Sequence, residues 1–127
     1  MEYTDNDCWV LFSVGFDNRG SRLKDIISRG DMLNHAIFTK EELENGLNKL
    51  LNNGYIMFSN GRFYTTEKAM NFYKDNRKIA EGCIAEWMRI SEILKKQPIK
   101  INEPRIVAIT DEEYINAANK RFLGFRI

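Results

Sequence analysis

Few side chains in this sequence have both the type and the spacing for bond-making chemistry. His35 is the only histidine. No cysteine and no paired carboxylate lies near it in sequence, so it lacks the partners of a metal site or a general base. A place near a helix end suits it as a cation instead. Cys8 and Cys83 sit far apart on apolar helical stretches, without metal-ligand spacing or a disulfide framework. They are expected as two buried free thiols in a reducing compartment. Glu41, Glu42 and Glu44 crowd one short stretch, but the start of a helix is where carboxylates cap the backbone and meet the dipole favourably. The sequence has no glycine-rich phosphate loop, no nucleophile elbow and no His-Glu zinc helix. The expectation is a protein that is not an enzyme, with no catalytic residue, no metal and no cofactor.

The chain has 127 residues, enough for one domain with its own core. Hydrophobic residues make up 43% and charged residues 29%, a globular balance. Net charge is +1, and residues 1–78 carry 11 Lys or Arg against 11 Asp or Glu. That neutrality leaves a local basic face, not an overall basic excess, as the only route to nucleic acid. The start of the chain is acidic and polar, unlike a signal peptide. The apolar run 8–16 is far too short to span a bilayer. A soluble cytoplasmic protein that does not engage membranes is expected.

The elements that would position any site are best marked between residues 38 and 65. Thr39 and Glu42 have the spacing of a capping box, and Phe38 and Leu43 that of a hydrophobic staple. Leu43, Leu47, Leu50 and Leu51 mark one buried helical face, and Gly54 ends the helix as its left-handed residue. Asn60-Gly61 then predicts a two-residue hairpin turn. With that turn, Ser59 faces Arg62, Phe58 faces Phe63, Met57 faces Tyr64 and Ile56 faces Thr65. Ile56, Phe58, Phe63 and Thr65 form the expected core side, and Arg62 sits at the tip.

Upstream, residues 5–16 suit either a helix or a strand; Trp9, Phe12 and Phe16 favour a helix capped by Thr4 or Asp5. Ser21 is expected to cap a second helix with Leu23, Ile26, Ile27, Gly30 and Leu33 on one stripe. Gly30 there implies that another helix approaches closely. Downstream, Thr65 or Thr66 starts a helix that either runs unbroken to Lys96 or breaks near Asp75-Asn76 or Gly82. Ile79, Cys83, Trp87, Ile90 and Leu94 form a seam on it, which suggests packing on a second copy or on the C-terminal segment. Residues 97–110, with Pro98 and Pro104, read as an extended connector in which Ile99, Ile101, Ile106 and Val107 would make short edge strands. Thr110 and Glu113 repeat the capping box, Ile109 and Tyr114 the staple, and a short helix to about Phe122 follows. The apolar tail 123–127 is expected to dock.

Helix, helix, helix, hairpin, helix is an order that resembles a winged helix-turn-helix domain over about residues 5–75. The stretch from Glu41 to Thr66 is similar to the recognition helix and wing of small bacterial regulators of the MarR-like and PadR-like families. The fold class expected is mainly α with a small β-hairpin: a winged-helix domain over 1–78 and a helical extension over 79–127 in the same compact unit. The resemblance implies a DNA-binding transcription regulator that pairs as a homodimer and whose helix from Lys40 to Asn53 enters the major groove. Asn45 and Asn48 would then read adenine, and Lys40 and Lys49 would meet guanine or phosphate. Arg62 would enter a minor groove or meet phosphate, and Arg19, Arg22 and Lys24 would touch the backbone. Glu41 and Glu44 depart from that pattern, since carboxylates repel phosphates. The alternative is a winged helix that binds a protein and not DNA.

Overall fold

The computed structural model describes residues 2–100 and 106–126, the last helix as backbone only beyond Ala118. Six helices and one hairpin are described: α1 (Asp5–Val14), α2 (Leu23–Asn34), α3 (Lys40–Asn52), β1 (Ile56–Ser59), β2 (Arg62–Thr65), α4 (Glu67–Asn76), α5 (Cys83–Lys95) and α6 (Asp111–Arg126). The protein is therefore mainly helical, with a small antiparallel two-stranded sheet.

α1 is the central element, touched by α2, α3 and α5. Its Cys8, Trp9, Val10, Leu11 and Val14 are all buried. A helix covered on most sides has no polar stripe to reveal its period, which is why the sequence left helix and strand open there. Thr4 caps it: the Thr4 hydroxyl accepts from Asp7 N at 3.3 Å, and the Asp7 carboxylate accepts from Thr4 N at 2.8 Å. At its other end the Arg29 guanidinium donates to the carbonyls of Ser13 and Val14 and to the Ser21 hydroxyl.

Ser21 does not cap α2. Arg22 stands at the cap position. Ser21 pairs its backbone with Phe63 in both directions at 2.8 Å, adding a bridge to the outer edge of β2. Its hydroxyl donates to Val14 O at 2.7 Å. A long-range backbone pairing has taken the residue that local pattern assigned to a cap. Gly30 is a close-approach glycine as expected. A Cβ there would meet the Phe38 ring at 2.4 Å, and the Trp9 indole N–H of α1 reaches Gly30 O at 2.9 Å.

α3 begins with the full Thr39–Glu42 capping box, 2.9 and 3.1 Å. It ends with Gly54 at φ 77°, with Tyr55 N donating to Leu50 O at 2.9 Å, the closure expected of a left-handed helix end. The hairpin has the predicted register at all four pairs. Asn60 and Gly61 both have positive φ, 52° and 76°, as a type I′ turn requires. Ile56 and Phe63 are buried, but Phe58 is 50% exposed. The core side of the hairpin runs out of core before its tip.

The long helix is broken. α4 ends at Asn76, and α5 starts after Gly82, its cap residue. The predicted seam is divided accordingly. Ile90 and Leu94 are fully buried within this chain, Trp87 is half-buried, and Ile79 and Cys83 are exposed. Cys83 is thus not the buried thiol expected. Cys8 is: burial pushes its thiol up to about 12. The side chains presented outward near α5 are Ile79, Ile84 and Met88. No helix among the described residues is long and apolar enough to cross a membrane.

Residues 97–100 and 106–110 are extended connector without strands, and Ile101 lies outside the described residues. The second capping box, Thr110–Glu113, is present at 3.1 Å in both directions. α6 continues past Phe122 to Arg126. Docking of the tail side chains lies outside the described residues.

Candidate functional site

α3 exposes little of the face that the sequence assigned to base reading. Asn48 is 7% exposed. Its carboxamide oxygen accepts from Ile106 N at 2.7 Å and Val107 N at 2.8 Å. Its NH2 donates to Val107 O at 2.8 Å and back to Glu44 O at 2.9 Å. The side chain thus pairs with the Val107 peptide as a neighbouring strand would. Glu44, which departed from a DNA-reading pattern, accepts from Ile109 N at 2.7 Å. Asn53 accepts from Lys100 N at 2.7 Å. Two polar side chains of α3, Glu44 and Asn48, and Asn53 just past its end therefore hold the backbone of the connector across this face.

The lysines of the same face are also engaged. Lys49 pairs with the buried Asp7 carboxylate at 2.9 Å and donates to Glu2 O at 3.3 Å. Lys40 pairs with Asp111, the first residue of α6, at 2.7 Å, and that hydrogen bond and charge hold the Asp111 carboxyl below its ordinary range. The Tyr114 hydroxyl donates to Phe38 O at 2.6 Å, and burial raises its pKa. Asn45 is exposed and has interactions of its own.

The remaining predicted contacts, Arg19, Arg22, Lys24 and Arg62, gather around the start of α2 and the hairpin. Arg62 does not project from the tip: its guanidinium lies back against Gly20 O at 3.4 Å. Arg19 is 3.9 Å from Asp17. Among the described residues no ion pair engages the side chain of Arg22 or Lys24. The structure therefore splits the predicted set into two groups, one locked under the connector and one placed beside the hairpin.

Beside that second group lies an open groove of about 590 Å³. Hairpin, start of α2, connector and α6 each form one wall. Its apolar lining includes Leu23, Phe58, Phe63, Ile106 and Ile109, and Arg22 and Lys24 stand at one rim. Phe58 and Ile106 are 50% and 56% exposed, and the Phe58 and Phe63 rings lie 4.6 Å apart. Sequence reasoning missed this groove. Its one legible signal was a bulky aromatic, Phe58, next to a turn that the core does not reach. Among the described residues no group of acidic, histidine and cysteine side chains is placed to hold a metal ion. No family model, no curated protein and no solved structure matches the chain.

Proposed function

We propose that this protein is a winged-helix module that binds a protein partner and not duplex DNA, and that it is not an enzyme. The order α1, α2, α3, hairpin, α4 and the type I′ turn support the winged-helix reading. The observation that carries the choice between partners is Asn48. This residue, one of the two asparagines expected to read adenine, has its amide oxygen and nitrogen bonded to the chain's own backbone. With Lys40 and Lys49 paired to Asp111 and Asp7, α3 withholds from duplex DNA the Asn48 amide and both lysine charges. An α-helix reads base edges only when such groups reach the major groove unpaired.

Titration of the protein with mixed-sequence duplex DNA at several salt concentrations tests this. A protein that neutralises several phosphates loses affinity steeply as salt rises. The expected result is no saturable binding even at low salt. A steep salt dependence, weakened by Arg22→Ala and by Lys49→Ala, would return the protein to the DNA-binding class.

A further inference from the structure

We infer that the groove between the hairpin and the start of α2 takes a partner segment with a bulky apolar core and an acidic flank. This rests on the protein-binding reading above and names the surface and the partner chemistry. The first observation is apolar area left open by the fold. Phe58 and Ile106 line the groove at half exposure or more, together with the buried Phe63 and Ile109. Two large side chains left half-open beside buried ones provide the kind of recess that interface anchors fill. A volume of about 590 Å³ is within the range that encloses a few such side chains.

The second observation is the sign of the rim. Arg22 and Lys24 line the groove, and no described ion pair engages them. The one lining carboxylate, Glu113, is held by Thr110 N in the cap of α6. Arg62 stands close by, on the Gly20 carbonyl. Complementary charge at a rim selects a partner and speeds its approach more than it adds affinity. An acidic flank is therefore what the rim would select, and the apolar core is what the groove would hold.

The test uses the full chain and three synthetic hexapeptides with blocked ends. One has the order Asp-Asp-Leu-Phe-Leu-Phe, one replaces both aspartates with lysine, and one replaces the four apolar residues with serine. Binding is followed by fluorescence anisotropy and mapped by amide chemical-shift changes. The acidic apolar peptide is expected to saturate, with shifts at residues 22–24, 58–63 and 106–109, and the other two to bind at least tenfold more weakly. Arg22→Glu with Lys24→Glu is expected to reverse the preference toward the lysine peptide. Phe58→Ser, at a half-exposed position, is expected to weaken the acidic apolar peptide while circular dichroism stays unchanged. Failure of the acidic peptide to saturate, or equal binding by all three, overturns the inference. So does self-association in light scattering that Phe58→Ser removes, since the occupant is then a second copy. Absence of peptide binding together with absence of DNA binding removes this inference alone, whereas salt-dependent DNA binding removes the reading on which it rests.

Discussion

Two regions of this molecule are held in place by different physics. The α1-centred body is held by burial: Leu11, Ile26, Leu47 and Ile90 are each fully covered. The segment from Ile106 to Tyr114 buries Ile109 as well, but adds directional bonds between polar side chains and backbone, with Asn48, Glu44 and the Tyr114 hydroxyl making them. Burial is non-directional and shared among many neighbours. Side-chain-to-backbone bonds are directional and few, so each is worth much to its own segment and little to the whole. The difference teaches where this protein is able to yield locally. The expectation is that the body unfolds as a unit and that the strap over α3 opens before it.

The largest expected effect comes from attacking the body. Leu11→Ala removes a fully buried side chain from the helix that α2, α3 and α5 all touch. The expected loss is about 2–5 kcal/mol, as for comparable core truncations. Urea unfolding measures it, and native-state hydrogen exchange should show protection falling in α2, α3 and α5 together. Protection lost in α1 alone would mean that the body is not one cooperative unit.

Asn48→Ala separates the two regions more sharply. It removes the acceptor of Ile106 N and Val107 N and the donor to Val107 O. The expected cost is about 1–2 kcal/mol of global stability, because the freed groups lie near enough to solvent to find water. Locally the effect should be much larger. Exchange of the Ile106 and Val107 amides is expected to approach that of an open chain, while the α1 amides keep their protection. Equal loss in both places would show that strap and body are one cooperative unit.

The same contrast explains what the sequence made legible. Caps, the Gly54 stop and the hairpin register depend on residues within a few positions of one another, so their spacing carries them. The type of α1 was ambiguous because burial on several sides erases the amphipathic period. Ser21 was misassigned because its partner, Phe63, lies far along the chain and leaves no local mark. The role of Asn48 is of that kind too: its partners are 58 and 59 positions away. One hint was present. Asparagine is a poor residue for a helix interior, and a helix that keeps Asn45, Asn48 and Asn52 must use some of them for more than solvation. Charge reading likewise found Lys40 and Lys49 but not the carboxylates, Asp111 and Asp7, that engage them.

The smallest expected effect tests the ionic part of the strap, and its sign follows from the pairing. Lys40 lowers the Asp111 carboxyl below its usual value of about 3.9. A depressed folded pKa means that the contribution is fully present above the unfolded value and is lost as pH falls through the folded one. Asp111 lies open to solvent, so screening keeps the contribution slight. Asp111→Asn should therefore lower the thermal midpoint by a small amount at pH 6 and by less near pH 2.5, where the unfolded carboxyl is protonated. Asn48→Ala should lower the midpoint at both pH values, because a carboxamide does not titrate in that range. A difference for Asp111→Asn that persists undiminished in acid would mean that its carboxylate acts through the cap of α6 and not through Lys40, and the strap would then depend on α3 for hydrogen bonds alone.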